Sequence, residues 1–116
     1  MSNTQAMATS FKGEILSGIH ALGTTVIRAG TGADTLKAAL YLASATINAA
    51  TTAYTVTGEV SGTGYSAGGV TVTNATAPTT SGTTGYWTPS ASLTYTTVTL
   101  TTAFDCVLIY NSTQSN

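Results

Sequence analysis

Asp34-Thr-Leu-Lys-Ala-Ala-Leu-Tyr-Leu42 decides between two architectures. At helical spacing, Leu36, Leu40, Ala43 and Ile47 line one face of a helix running from Asp34 to Ala50. Asp34 supplies the N-cap, and the alanines favour the helix by intrinsic propensity. At a period of two, Leu36, Ala38, Leu40 and Leu42 form the buried face of a strand. The residues alone leave both readings open.

Downstream of this stretch the pattern is β. Tyr54-Thr-Val-Thr57 and Val70-Thr-Val-Thr73 alternate, and Tyr86-Trp87-Thr88 begins a strand broken at Pro89. Leu93-Thr-Tyr95 and Val98-Thr-Leu100 alternate again. Phe104 to Tyr110 is almost continuously apolar and is expected to be a central strand buried on both faces. Gly58 to Gly69 and Ala75 to Gly85 carry the glycine, threonine and proline of loops. Short strands at roughly ten-residue intervals predict a Thr/Gly-rich β-sandwich or small barrel over residues 24–116. Asn111-Ser-Thr-Gln-Ser-Asn116 is turn chemistry directly after the strongest strand. A hairpin partner is expected next, supplied either by further chain or by another molecule.

Upstream, residues 1–23 read as an N-terminal helical arm, with a helix from Thr4 to Leu22. Met7, Phe11, Ile15, Ile19 and Leu22 recur at spacings of four, four, four and three and form one apolar stripe. Asn3 or Thr4 caps the start, and Gly23 suits the left-handed position past the end. Gly13 and Gly18 each weaken the helix by roughly 1 kcal/mol relative to alanine, so it needs a partner surface.

Composition narrows the function. The 116 residues include 27 Thr, 11 Ser and 12 Gly, but only three Lys or Arg and four Asp or Glu, for a net charge of −1. Nucleic-acid binding through phosphates needs clustered cations, which are missing. No apolar run approaches the ~20 residues that span a bilayer as a helix, and Met1 to Ala8 lacks the pattern of a secretion signal. Residues 60–104 hold no charge. Strand edges normally carry lysine, proline or other charges against unwanted pairing, so an uncharged β surface reads as one that other molecules cover.

No chemical site emerges. Cys106 with His20, and Asp34 or Asp105 to orient the imidazole, is the only nucleophile–base combination, and nothing in its spacing favours catalysis over a strand cysteine and a helix histidine. One His and one Cys do not make a zinc site. Asp105 and Glu59 lack the loop spacing of a calcium site, and Gly58-Glu-Val-Ser-Gly-Thr-Gly64 lacks a phosphate-loop lysine. Tyr65, Tyr86, Trp87 and Tyr95 offer aromatic faces for a sugar, although aromatics in a β-sandwich more often pack in core or interface. Asn74-Ala-Thr and Asn111-Ser-Thr match the glycosylation pattern but read as chance matches in a threonine-rich chain.

Several segments carry a resemblance: Met7-Ala-Thr-Ser-Phe-Lys12, Gly18-Ile-His20, Thr35-Leu-Lys-Ala-Ala-Leu-Tyr41, Thr51-Thr-Ala-Tyr54, Glu59-Val-Ser-Gly-Thr-Gly-Tyr-Ser-Ala-Gly-Gly69 and Val107-Leu-Ile-Tyr-Asn-Ser-Thr113. Nearly the whole chain resembles a family of small structural proteins of tailed bacteriophages. The resemblance treats Thr35 to Tyr41 as extended, which selects the strand, and family members continue past the Asn-Ser-Thr turn into further strands. It supplies no catalytic residue and no cofactor.

What the resemblance implies is a virion component, assembled in the bacterial cytoplasm. Low charge, an apolar helix and open strand edges suit a capsid decoration or cement protein: a homo-oligomer docked on the major capsid protein, with neither nucleic acid nor membrane as partner. The contact is expected at Met7, Phe11, Ile15, Ile19 and Leu22, or at the open strand edges by strand addition. The competing reading is a tail- or fibre-associated module binding host surface glycans through Tyr65, Tyr86 and Trp87. An enzyme is disfavoured by the missing acid–base constellation.

Overall fold

Leu36–Tyr41 forms a strand, β1, and every other element of its sheet is arranged around it. The computed structural model describes residues 6–19, 32–73 and 77–114. Over these the chain is mainly β: one helix, α1 (Thr9–Leu16), and seven short strands, β1 (Leu36–Tyr41), β2 (Gly62–Thr63), β3 (Val70–Val72), β4 (Thr79–Ser81), β5 (Thr84–Tyr86), β6 (Thr99–Leu100) and β7 (Cys106–Asn111). Among the described residues the sheets are open, with strand orders β3-β1-β7, β2-β6 and β4-β5.

Tertiary context overrides the helix propensity of Ala38 and Ala39. Side chains of a strand alternate between faces, and Ala38, Ala39, Leu40 and Tyr41 are all buried. Both faces of β1 are therefore covered, a position that rewards a central strand. β7 runs antiparallel along the whole of β1, from Leu36 opposite Asn111 to Tyr41 opposite Cys106. On its other side β1 pairs with β3 for three residues only, from Leu36 opposite Val72 to Ala38 opposite Val70.

Gly69 ends that second ladder. It adopts φ +72°, open to glycine and rarely to other residues, and a Cβ there would overlap the carbonyl oxygen of Ala38. Past this point β1 finds other partners. Val60 N–H donates to Leu40 O at 3.0 Å, and Leu42 N–H donates to Gly58 O at 2.9 Å. Leu40 N–H donates to the Tyr65 hydroxyl at 3.0 Å, and the Tyr95 hydroxyl donates to Ala38 O. Two tyrosine hydroxyls thus stand where a longer β3 would have placed backbone groups, in keeping with the rule that buried backbone polar groups are paired.

The turn after β7 is clasped to the start of β1. Asn111 Nδ2 and Gln114 Nε2 donate to the two oxygens of Asp34 at 2.7 and 3.0 Å. Ser112 N–H donates to Thr35 O at 2.9 Å, and Thr35 N–H donates to Thr113 Oγ1 at 2.8 Å.

Several expectations are corrected. The Phe104 to Tyr110 run is not a central strand: β7 begins at Cys106 and lies at the sheet edge, while β1 occupies the centre. Tyr54–Thr57 and Leu93–Tyr95 are not strands, and their tyrosines instead bring hydroxyl hydrogen bonds to Glu59 and to Ala38 O of β1. The expected loop Ala75 to Gly85 instead contains β4 and most of β5, joined through Gly82 at φ +56° in the first position of a two-residue turn.

The helix is also shorter than Thr4 to Leu22. Gly18 at φ +67° closes it five residues before Gly23: Gly18 N–H donates to Ile15 O and Ile19 N–H to Glu14 O, both at 3.0 Å, the paired bonds of a Schellman cap. Residues Thr4, His20 and Leu22 lie outside the described residues. An isolated helix of eight residues is unstable in water. Here α1 belongs to a compact unit with residues Asn74–Ser90, and Arg28–Thr73 with Ala91–Asn116 makes a second unit. Within the first, a Cβ at Gly13 of α1 would lie 3.4 Å from Thr80 Cγ2, and one at Gly85 would come within 2.8 Å of Lys12 Cβ. Lys12 Nζ donates to Thr83 O at 2.6 Å. Gly13 and Gly85 are therefore the close-approach points of helix and hairpin.

Gly69→Ala is expected to cost on the order of 3 kcal/mol or more, because strain at φ +72° adds to the overlap with Ala38. Urea denaturation of the variant tests this; a midpoint within error of wild type would contradict the assignment of Gly69.

Candidate functional site

The largest polar cluster of the Arg28–Thr73 and Ala91–Asn116 unit centres on Glu59. Its carboxylate accepts the Tyr54 hydroxyl at 2.6 Å, the Tyr65 hydroxyl at 2.6 Å and the Gly68 N–H at 2.7 Å. Tyr54 stacks on Tyr110 of β7 with ring centroids 4.7 Å apart, and the Tyr110 hydroxyl donates to Gly68 O at 3.0 Å. Tyr65 stacks on Tyr95 at 6.1 Å. Tyr41, fully buried, donates its hydroxyl to Thr55 O. Tyr54, Tyr65, Tyr95 and Tyr110 thus meet in one network with a single carboxylate, with Tyr41 on a separate bond to Thr55.

Electrostatics follow from this geometry. Burial pushes the Tyr54 and Tyr65 phenols well above their ordinary value, and the hydrogen bond from each to the Glu59 carboxylate pushes further in the same direction. Tyr41, Tyr95 and Tyr110 are also raised, with burial the first cause in each. The network is a set of neutral donors around one acceptor and offers no general base paired with a nucleophile. Among the described residues no group of three His, Cys, Asp or Glu side chains could hold a metal ion. Cys106 is half-buried in β7, and Asp34 is engaged by the Asn111 and Gln114 amides. His20, the other member of the Cys106 combination, lies outside the described residues.

Beside the network is an open cleft of about 280 Å³. Tyr65 and Tyr95 line it together with Val70 and with Ser66, Thr94 and Thr96, whose residues are exposed. Its walls carry no charge, and both tyrosine hydroxyls point to partners already named. Of the aromatic residues considered for glycan contact, Tyr65 and Tyr95 therefore present rings rather than free hydroxyls. Tyr86, at the end of β5, is exposed, and Trp87 is half-buried.

The apolar stripe is only partly helical. Phe11 and Ile15 lie on α1, Met7 precedes it, Ile19 follows its cap, and Leu22 lies outside the described residues. Met7, Ile15, Leu16 and Ile19 are exposed, at 44–66 % of their accessible surface, while Phe11 is half-buried. Further exposed apolar side chains are Val56, Phe104, and Val107 and Ile109 on β7, the last three within the run expected to be buried on both faces. The alternation Val107-Leu-Ile109 is the signal for the β7 pair, obscured by the continuous apolar run. Glu59 likewise carries no local signal of its role: in the sequence it stands in a glycine-rich loop, as a carboxylate without the spacing of a calcium site. Comparison with family models, with curated proteins and with solved structures finds no match to this chain.

Glu59→Gln is expected to destabilise the fold by about 2 kcal/mol or more, since the amide presents a donor where three donors converge; urea denaturation measures it. The tyrosines give a separate pH dependence. Their folded values lie above the ordinary value near 10, so the folded state holds protons that the unfolded chain releases. That stabilisation is complete below pH ~10 and falls as pH rises beyond it. Tyrosinate absorbance of the native protein should lag behind that of the urea-unfolded chain above pH ~10; coincident curves would contradict the network.

Proposed function

We propose that this chain is a bacteriophage virion structural protein, a capsid decoration or cement protein that binds the major capsid protein as a homo-oligomer. The observation that carries the reading is exposed aliphatic surface on a chain with almost no charge. Met7, Ile15, Leu16 and Ile19 stand out around α1, and Val107 and Ile109 stand out on an uncharged edge strand. Clustered exposed apolar side chains mark surfaces that partners cover, and a net charge near zero removes the repulsion that keeps copies apart. The polar chemistry that is present, the Glu59 network, is consumed internally. The family resemblance of the sequence points the same way. The finer architecture, a β-sandwich or small barrel preceded by a helix, belongs to this reading.

Docking is assigned to the exposed flank of α1, with Met7, Ile15 and Ile19 as contacts and the half-buried Phe11 between them in the stripe. Weak contacts repeated over a shell gain avidity by simultaneous engagement. The uncharged cleft of Tyr65 and Tyr95 favours the second reading, a tail- or fibre-associated module that binds host surface glycans, because sugars stack on aromatic rings and bond to neutral hydroxyls. Copy number separates the two: hundreds per virion for decoration, a handful for the tail.

Ile15→Asp with Ile19→Asp should leave the fold intact and lower cosedimentation with empty capsid shells by roughly tenfold or more. The exposed positions are chosen so that circular dichroism stays unchanged. Undiminished binding of the double variant would remove α1 as the docking surface, and failure of the wild-type chain to sediment with shells would overturn the decoration reading.

A further inference from the structure

We propose that β7 pairs, across the edge that faces away from β1, with β7 of a second copy of this chain, antiparallel, about a two-fold axis through Leu108. The inference rests on the assembly reading above and specifies how copies meet.

Backbone geometry identifies the edge. Ser112 N–H donates to Thr35 O in the pair that continues the β1–β7 register. Hydrogen-bonded pairs alternate along an antiparallel ladder, so Leu108 and Tyr110 direct their backbone groups to β1. Val107, Ile109 and Asn111 direct theirs away, and among the described residues no strand lies on that side. The usual protections of an edge are lacking, since Cys106–Asn111 holds no lysine, no proline and no charge.

The side chains say which partner fits. Directly opposed residues share a face, so Val107 lies beside Leu40 and Ile109 beside Ala38. Leu40 is 4 % and Ala38 0 % exposed, against 46 % for Val107 and 54 % for Ile109. The cover over β1 stops short of β7 and leaves two β-branched side chains at its rim. A charged partner strand finds nothing to match there, whereas an uncharged apolar edge is complementary to itself. With the axis at Leu108, Val107 of each copy faces Ile109 of the other. These are the residues whose N–H and C=O point outward, so the register satisfies backbone and side chains together. An axis one residue later would set Asn111 against Val107, and Asn111 is already held by Asp34. The product is a continuous six-stranded sheet, β3-β1-β7 followed by its two-fold image, with four aliphatic side chains joined across the seam.

Sedimentation velocity of the purified 116-residue chain should give a dimer, and Ile109→Lys should raise its dissociation constant roughly tenfold or more by placing a charge in the seam. Register is read in a Cys106→Ser background. Val107→Cys and Ile109→Cys chains should form a disulfide when mixed and not when oxidised separately, because Cα atoms of such a pair lie about 5.5 Å apart. If Ile109→Lys does not fold, the mixed cross-link decides. A monomeric wild type, or aggregates without the mixed cross-link, overturns the proposal. Shell binding by a monomer would overturn this pairing alone, and a cross-linked dimer that ignores shells would overturn only the decoration reading.

Discussion

The backbone of β1 is the constraint on which the rest of its unit depends. A strand buried on both faces must pair its N–H and C=O groups on both sides, since an unpaired buried group costs about 1–3 kcal/mol. β7 satisfies one side in full. The other is divided among β3, the Gly58–Val60 backbone and the hydroxyls of Tyr65 and Tyr95. Those hydroxyls must be held in place, and Glu59 holds Tyr65 directly and Gly68 beside it. Gly69 then places β3 by bringing the chain into contact with Ala38. Sheet, network and loop are consequences of one unfinished ladder.

Tyrosine serves core and backbone at once in this arrangement. Among the described residues the buried hydrophobic side chains are Ala38, Ala39, Leu40, Tyr41, Val60 and Val72. The rings of Tyr65 and Tyr95 add apolar cover while their hydroxyls close backbone bonds of β1. The stacked pairs Tyr54–Tyr110 and Tyr65–Tyr95 reach the sheet at β7 and at the end of β3. A single carboxylate serving three donors is economical in charge, in line with a chain that carries four acidic residues in all.

Much of the β character was legible from alternation, and Val70–Val72 and Thr99–Leu100 fall within stretches whose period announced them. The identity of the central strand was not. Continuous apolarity in Val107-Leu-Ile-Tyr110 mimics burial on both faces, while the alanines of β1 mimic a helix. Periodicity reports which side chains are apolar, not how far neighbouring layers extend. The Glu59 network was hidden for a related reason: Tyr54, Tyr65, Tyr95 and Tyr110 are separated by up to 56 positions, and no local pattern marks a hydroxyl that replaces a strand. Gly13 and Gly18 looked like defects in one long helix. They are a packing contact and a stop signal, a distinction that required the hairpin to be seen.

The same neutrality that shapes the interior governs the exterior. Proteins that stay apart in solution place charges on their edges, and the desolvation of those charges is then an obstacle to close packing. A chain whose surface is built of threonine, serine and glycine presents no such obstacle, and its hydroxyls exchange water for neighbouring backbone groups at little net cost. Directional specificity must then come from shape and strand register rather than from charge pairs. β7 offers register, through outward backbone groups spaced at every second residue, and α1 offers shape, through the exposed aliphatic side chains of Met7, Ile15 and Ile19 on and beside it. A molecule organised in this way discriminates poorly among partners at a distance, where charge would steer encounter, and discriminates well at contact. On the decoration reading proposed above, that is the behaviour required of a subunit that arrives at a preformed, repetitive surface in many copies and is retained by the sum of its neighbours.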